Sequence, residues 1–403
     1  NGVDSAWYFL DGRNDDGSSP DTQALLRFDD VVEAIPANAT ILDAKLTVTT
    51  GVTGNAQTGG PFGVSGLLEP FDGNTTYFDF VSDTDFFSRG AWWQDGSATR
   101  PTGGSGFRVP GDQAAFNVRS VVQSWVDGAD PYGFVIQAGL SDALGEVANT
   151  TDGWAIRTTG YPAPDSRPKL EVTYSTAEDV EMNSFQEGVN GYVGSTMAIV
   201  RSGPNALVED VADGELTEDA STLDQTFLDG VLFDDTAGNT GSPDDLALLK
   251  FDGVFGNGPG QAPIDKEVSK AWAVITTGDA TVSGRSGGSW SAHTMLRDWD
   301  TTTLHSEFGD VNGLQVSDGD ISPALDVQEG FIRGAEVWFD VTDYVEGVRN
   351  GADDMGIAIQ SGATSDGWEI HTTGSFSDSV GATAESARPR LVVISGGGIG
   401  PID

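Results

Sequence analysis

Short apolar runs, each bounded by Gly, Pro or Asp, recur along the whole chain, for example LLRFD, KLTVTT, FVIQAG and KLEVTY. In KLEVTY, the apolar or aromatic residues Leu170, Val172 and Tyr174 alternate with polar residues. Successive side chains of a strand point to opposite faces, so this pattern predicts β-strands with one buried face. The abundance of turn residues between the runs favours many short strands.

One segment has a helical period instead. In VRSVVQSWVDGA, the apolar side chains fall three or four positions apart, at Val118, Val121, Val122 and Trp125. Gly128 then occupies a position typical of the end of a helix. We predict a short helix that crosses one end of a two-sheet sandwich. The expected fold class is all-β, with jelly-roll-like antiparallel β-sandwich domains, because the turn spacing does not suit βαβ units.

The chain repeats itself in one order of matching blocks, which indicates a duplicated domain. We therefore expect a first repeat over residues 1–174, a linker over 175–184, a second repeat over 185–395 and a Gly-rich tail over 396–403. The matched blocks are SPDTQALLRFDDV from Ser19 and SPDDLALLKFDGV from Ser242, AKLTVTTG from Ala44 and AWAVITTG from Ala271, FNVRSVV from Phe116 and FDVTDYV from Phe339, TDGWAIRTTG from Thr151 and SDGWEIHTTG from Ser365, and RPKLEVTY from Arg167 and RPRLVVIS from Arg388.

The repeated DGW phrase is predicted to be scaffold. Asp-Gly makes a turn, after which Trp154 or Trp368 enters the core and the isoleucine two positions later shares its face. Arg157 of the first phrase is replaced by His371 in the second. We expect both of these side chains to point outward, where either residue is tolerated.

The two repeats differ at their beginnings. The second repeat carries a candidate strand, YVGSTMAIVR over 192–201, before its FLDG at Phe227, whereas the FLDG of the first repeat starts at Phe9. The first repeat is therefore predicted to lack an N-terminal strand. An unpaired edge is a template for another chain, so head-to-tail assembly of copies is one hypothesis, with LVVISGGGIGPID from Leu391 as a candidate arm. The alternatives are that the first repeat closes without the strand or takes 192–201 from its own chain.

Acidic residues dominate the charge, with 62 Asp and Glu against 20 Lys and Arg and a net charge of −42. Such a surface repels nucleic acid and anionic membranes, so neither partner is expected. High salt would screen the self-repulsion and bound calcium would neutralise it. The sequence leaves both settings open.

Calcium is the expected cofactor, because acidic and Asn-containing loops offer the oxygen ligands that it prefers. The loops do not match the EF-hand pattern, and turns that use Asp to cap their own backbone are the alternative. The first two loops lie at equivalent positions of the repeats. The candidate ligands are Asp11, Asn14, Asp15, Asp16 and Asp21 in the first loop, Asp229, Asp234, Asp235, Asn239, Asp244 and Asp245 in its repeat, and Asp310, Asn312, Asp318 and Asp320 elsewhere.

No catalytic pattern is present. The three histidines show no metal-binding spacing, no nucleophile elbow or phosphate loop occurs, and the absence of cysteine excludes thiol catalysis and disulfides. We therefore expect no enzyme. Glycan binding is the competing function, with Trp92 and Trp93 as stacking residues and the segment from Trp290 to Trp299 as a second candidate. A loop or a neighbouring subunit covering the outward tryptophan is the alternative.

An extracellular or cell-surface location is expected. The chain begins at Asn1 without Met, which suggests a mature form whose signal peptide has been removed. No apolar run is long enough to cross a bilayer. Sequons at Asn38, Asn74 and Asn149 are candidate glycosylation sites.

Taken together, the blocks ALLRFD, ALLKFD, FNV…VVQSW…YGFVI, DGW and RPKLEVTY resemble the DNRLRE-type repeats of secreted bacterial and archaeal proteins, which overlap with disaggregatase-related and family 96 carbohydrate-binding modules. The resemblance implies a jelly-roll-like sandwich, an extracellular location and an accessory, adhesive or glycan-binding role. With the missing strand, it suggests a secreted structural subunit of a surface, matrix or filament whose partners are copies of itself. The alternative is a monomeric tandem module that binds extracellular polysaccharide.

Overall fold

The computed structural model of the chain describes residues 6–10, 22–52, 61–80, 97–105, 108–138, 153–201, 216–228, 245–278, 286–308, 314–362, 367–375 and 384–397. They form mostly antiparallel β-sheets with few helices, which confirms the prediction of an all-β sandwich fold. The chain divides into two compact units. The first unit comprises Asn1–Ala177, Ala280–Gly287 and Gly330–Glu336, and the second comprises Glu178–Asp279, Gly288–Glu329 and Val337–Asp403.

The first unit is a two-layer sandwich. One sheet has the strand order β5-β4-β7-β2, the other has the order β6-β3-β9, and β1 pairs with β8. The elements are β1 Trp7–Leu10, β2 Ala24–Leu26, α1 Val31–Ala34, β3 Thr40–Thr49, β4 Phe62–Gly66, β5 Thr102–Ser105, β6 Gln113–Asn117, α2 Arg119–Val126, β7 Phe134–Ala138, β8 Trp154–Arg157 and β9 Lys169–Ser175.

The core of the first unit lies between these sheets. Leu46 of β3 and Phe116 of β6 meet Phe62 of β4 and Ile136 of β7, and all four are fully buried. In β9, Leu170 and Val172 pack against the same core, as the strand alternation predicts. Tyr174 is exposed, so the prediction that it shares their buried face is wrong. Burial of one face of each sheet therefore holds this unit together.

Helix α2, Arg119–Val126, confirms the helix predicted within the segment 118–129. Its side chains Val121, Val122 and Trp125 are buried in the core of the first unit. Gly128 has a φ of 107°, and its N–H donates to the Trp125 carbonyl at 3.1 Å. The left-handed backbone at this glycine ends the helix.

The second unit repeats this arrangement with added strands. Its sheets have the orders β12-β11-β14-β21-β18-β19 and β10-β23-β17-β20, and β13 pairs with β22 and β15 with β16. The elements are β10 Glu181–Gln186, β11 Ser195–Arg201, β12 Leu216–Asp219, β13 Gln225–Leu228, β14 Asp245–Phe251, β15 Phe255–Gly256, β16 Ala262–Pro263, β17 Val268–Thr276, β18 Ser286–Thr294, β19 Asp326–Phe331, β20 Glu336–Asp340, α3 Thr342–Arg349, β21 Ile357–Ser361, β22 Trp368–His371 and β23 Arg390–Ser395.

The two DGW tryptophans are core residues, as predicted. Trp154 and Trp368 are fully buried, and so is the isoleucine two positions after each of them. The indole N–H of Trp154 donates to Thr50 Oγ1 at 3.1 Å, and that of Trp368 donates to Thr277 Oγ1 at 3.2 Å. The phrase is therefore repeated because it fixes the same buried hydrogen bond in each unit.

The outward orientation predicted for His371 is wrong. Arg157 is partly exposed and stacks on Tyr161, with its guanidinium carbon 4.4 Å from the ring centroid. His371 is buried, and its Nδ1 lies 3.2 Å from Ser375 Oγ. The exchange of Arg for His thus accompanies an exchange of the stacking tyrosine for a small serine, since Tyr161 and Ser375 occupy matching positions.

Strands occupy parts of the predicted linker and of the predicted C-terminal arm. The predicted linker, residues 175–184, contains the last residue of β9 and the first residues of β10. Leu391–Ser395 of the predicted arm form most of β23, which pairs with β10 on one side and β17 on the other. Those five residues are therefore part of the sandwich and not an arm, while residues 398–403 lie outside the described residues.

Candidate functional site: an open strand edge

Strand β2 is an edge strand of the first unit. Its residues Ala24, Leu25 and Leu26 pair with Ile136, Val135 and Phe134 of β7. Among the residues that the structure describes, no strand pairs with the other side of β2. Half of the backbone hydrogen-bonding groups of β2 therefore face away from the sheet, in the geometry that accepts another strand.

The matching strand of the second unit is not an edge. Strand β14 pairs with β21 in the same register, with Ala247 opposite Ile359, and pairs with β11 on its other side. The same Ala-Leu-Leu sequence, Ala247–Leu249, is fully buried there, whereas Ala24–Leu26 are only partly buried. The presence of β11 is the difference between the two environments.

Side chains of β11 also complete a small hydrophobic cluster on the outer side of its sheet. In the second unit, Ala198 and Val200 of β11 pack with Leu248. In the first unit, Leu25 packs against a smaller cluster that includes Phe80 and Val135. A strand paired with β2 would therefore bury apolar surface of Leu25 as well as satisfy backbone groups.

A second edge of the first unit is open in the same way. Strand β9 pairs with β3, and within the described ranges it has no partner on its other side. The matching strand β23 is flanked by β17 and by β10, whose six residues run antiparallel from Glu181 to Gln186. Each sheet of the second unit thus has an edge partner that the matching sheet of the first unit does not have among the residues described.

The turn after the DGW phrase shows the same contrast. In the second unit, the Gly374 N–H donates to the Ala220 carbonyl at 3.2 Å, and Thr372 and Thr373 are buried. The matching turn of the first unit, Thr158–Gly160, is partly or fully exposed. We call residues 178–224 the extension, because they supply β10, β11, β12 and this cover to the second unit. His371 directly precedes the residues of this turn that are bonded to the extension, and it is buried as well.

The extension is anchored by polar contacts around the turn that joins β10 to β11. The Tyr192 hydroxyl donates to the Asp252 carbonyl at 3.0 Å, and burial raises the pKa of this hydroxyl well above its ordinary value. The Glu187 carboxylate accepts hydrogen bonds from the Ser195 N–H at 3.1 Å and the Ser195 hydroxyl at 2.8 Å. These contacts fix β11 against β14.

A buried ion pair joins the last residue of β11 to the first residue of β14. The guanidinium of Arg201 contacts the carboxylate of Asp245, and both side chains are almost completely buried. Arg201 also donates to the Phe227 carbonyl at 2.9 Å and to Thr226 Oγ1 at 2.7 Å. This pair was not predicted from the sequence, although a charged residue at the end of an apolar strand is an available signal.

Most candidate calcium ligands lie outside the described residues, namely all those between Asp11 and Asp21, all those between Asp229 and Asp244, and Asp310 and Asn312. Asp318 is exposed, whereas Asp320 is buried and accepts a hydrogen bond from Arg297 at 2.8 Å. Within the described ranges, no group of three or more acidic or histidine side chains is placed to hold a metal ion. Calcium binding at the two equivalent loops stays a prediction.

The candidate glycan-binding residues Trp92 and Trp93 also lie outside the described residues. Trp290 is fully buried and packs against Trp368, with 5.3 Å between ring centroids. Trp299 is partly buried and its indole donates to a backbone carbonyl at 2.7 Å. Trp290 is therefore not an exposed stacking residue, whereas Trp299 is partly exposed and glycan binding by this segment stays a prediction.

Two of the three sequons have accessible acceptors, because Asn38 and Asn74 are exposed, while Asn149 lies outside the described residues. None of the helices in the described part of the chain is long and apolar enough to span a membrane.

A scan against models of known protein families finds no match for this chain, and a search of curated proteins finds no similar sequence.

Proposed function

We propose that the chain is a secreted, non-catalytic structural subunit of an extracellular surface, matrix or filament, and that its copies associate head to tail by strand complementation. The observation that carries this proposal is the pair of open edges on the first unit, at β2 and β9. The second unit fills both matching edges with its own extension. A fold that closes these edges in one unit and leaves them open in the other has a built-in acceptor for a partner strand.

The occupant of the acceptor is the second unit of the next copy. Strand β10 lies at one end of one of its sheets, and β12 lies at one end of the other. Strand β10 belongs to the sheet that contains β23, and β12 belongs to the sheet that contains β14. Pairing β10 of one copy with β9 of the next, and β12 with β2, extends both sheets across the contact. An interface of this kind is heterologous, so it generates a ring or an open filament.

Calcium is proposed to hold neighbouring copies together. A chain with a net charge of −42 repels its own copies, and this repulsion opposes assembly. Divalent ions bound at the acidic loops near Asp15 and Asp234 would reduce it. The non-catalytic role follows from the absence of catalytic motifs in the sequence.

Electron microscopy of the purified full chain, with calcium and with excess chelator, tests the assembly. The expected result is regular fibres whose loss on chelation places calcium at the contacts. Dispersed particles under every condition would overturn the proposal and favour the glycan-binding monomer, which glycan arrays with Trp92→Ala and Trp93→Ala variants would then examine.

A fusion variant tests the edge itself. Residues 178–224, placed directly before Trp7 and carrying Arg201→Thr, reproduce the spacing of the second unit and should fill both edges of the first unit in cis. Fibres should then no longer form. The matched control is the same fusion with Ala198→Pro and Val200→Pro in the added copy, because proline cannot complete a strand ladder. Fibres that persist in the first fusion would show that assembly does not use these edges.

A further inference from the structure

Two side chains that contact Arg201 in its buried pocket, Asp245 and Thr226, are replaced in the first unit. In the second unit, the guanidinium lies against the Asp245 carboxylate and donates to Thr226 Oγ1. The matching residues of the first unit, from the aligned blocks, are Thr22 and Tyr8. At these two positions the first unit therefore has neither the carboxylate nor the threonine hydroxyl that Arg201 uses in the second unit.

The backbone part of the pocket is also altered in the first unit. Arg201 donates to the Phe227 carbonyl at 2.9 Å in the second unit. The matching carbonyl, that of Phe9, accepts a hydrogen bond from the Thr22 hydroxyl at 3.4 Å. Thr22 thus occupies the position of Asp245 and makes a hydrogen bond between uncharged groups there. This corner of the first unit is built for an uncharged neighbour.

We infer that Arg201 and Asp245 are specificity-determining residues, which restrict β11 to the second unit, and that the strand completing the first unit places an uncharged residue opposite Thr22. This inference rests on the proposed function, since it specifies the partner strand of the same edge. If β11 paired with β2 in the register it has with β14, Arg201 would lie opposite Thr22. Its guanidinium would be buried without a carboxylate, which is strongly unfavourable.

The pair therefore discriminates against two wrong assemblies. One is the pairing of residues 192–201 with the first unit of the same chain, and the other is their pairing with the first unit of another copy. Discrimination by an unpaired buried charge is a common way to reject a competing partner of the same shape. The partner strand remains free to come from the outer edge of the next copy.

Peptide binding to the full chain tests the inference. The probes are a synthetic peptide of residues 192–201 and its R201T version, and fluorescence anisotropy measures their affinities. The R201T peptide should bind the wild-type chain at least about 10-fold more tightly than the native peptide, because an unpaired buried charge is costly. Hydrogen exchange should show new protection at Ala24–Leu26 when it binds.

Substitutions at Thr22 supply the matched pair of variants. T22D rebuilds the carboxylate, so it should raise the affinity of the native peptide at least about 10-fold and lower that of the R201T peptide. T22N has a similar shape without the charge and should leave the preference for the R201T peptide unchanged. A second variant, Y8T/T22D, restores the remaining side-chain acceptor and should strengthen the native peptide further.

The outcomes separate this inference from the proposed function. Equal binding of both peptides to the wild-type chain, or no gain of the native peptide in T22D, overturns the inference even if fibres form. Failure of both peptides to bind the wild-type chain overturns it too. A clear preference that reverses in T22D, in a chain that forms no fibres, supports the inference and overturns the assembly.

Discussion

The two Ala-Leu-Leu strands allow a matched comparison of a single leucine in two environments. Leu248 is fully buried in the second unit and packs with Ala198 and Val200 of β11. Leu25 occupies the same position of the first unit and is only partly buried. We predict that Leu248→Ala destabilises the second unit much more than Leu25→Ala destabilises the first.

The expected magnitudes follow from burial. Removing a fully buried leucine side chain costs about 3–5 kcal/mol, because the lost transfer free energy is increased by the cavity left behind. At Leu25, part of the side chain is already in water and solvent can enter the space beside β2. The cost there should be about 1–2 kcal/mol, close to the transfer free energy alone.

Hydrogen exchange across a urea titration of the dispersed full chain measures both values, since peptides from β7 and β21 report on the two units separately. Each variant should lower the urea midpoint of its own unit and leave that of the other unit unchanged. If Leu25→Ala costs as much as Leu248→Ala in dispersed chains, Leu25 is already covered without a partner, and the open edge is refuted.

Three further predictions concern stability. Thr277→Val leaves the buried indole N–H of Trp368 without its acceptor and should cost about 1–3 kcal/mol, measured by urea unfolding. The hydrogen bond from Arg349 lowers the pKa of the Glu346 carboxyl from 4.5 to about 2, so Glu346 stabilises the fold above its unfolded pKa and loses this effect as the pH falls from 4.5 to 2. Glu346→Gln should therefore lower the free energy of unfolding at pH 7, and the difference from wild type should disappear near pH 2. Asp30 has a φ of 67° at a position where the second unit has glycine, so Asp30→Gly should stabilise the first unit by about 0.5 kcal/mol, measured as a rise in its urea midpoint.

Each of these predictions has a matched control. Thr50→Val removes the equivalent hydrogen bond of the first unit and should cost a similar amount. Asp343→Asn changes an exposed carboxylate on the same helix as Glu346 and should not reproduce its pH dependence. Gly253→Asp makes the reverse of the Asp30 change, and a stabilising effect of this variant would contradict the argument from backbone conformation. An effect of Glu346→Gln that does not depend on pH would contradict the proposed role of the Glu346 carboxylate.

Local patterns predicted the scaffold because the forces that set it are local. Alternation along KLEVTY and helical spacing around Trp125 each depend on residues within one element, and the structure has both. The buried positions of Trp154 and Trp368 follow from the turn and the strand that contain them. Because the phrase occurs twice, each of its positions could be compared between the two repeats.

Features that depend on a distant segment were not predictable in this way. His371 is buried in a turn whose residue Gly374 is bonded to Ala220, and no pattern around the histidine indicates this distant contact. Arg201 and Asp245 are 44 positions apart and come together only because β11 pairs with β14 in one register. The sequence places the extension before the second unit but does not state which strands it will flank.

The divergence of the two repeats bears on whether the open edge is used. On the outer face of the first unit, Lys45 and Glu171 occupy the positions of Trp272 and Val392, so polar residues stand there where the second unit has buried apolar ones. Leu25, by contrast, has the same residue type as its buried counterpart in the second unit. An edge that met only water would gain solubility from a polar residue at Leu25, just as the outer face of the other sheet has a polar residue at Lys45. Retention of leucine at this position is what a strand that becomes buried on assembly requires, and Leu25→Ala should accordingly weaken fibres by more than it weakens the dispersed first unit.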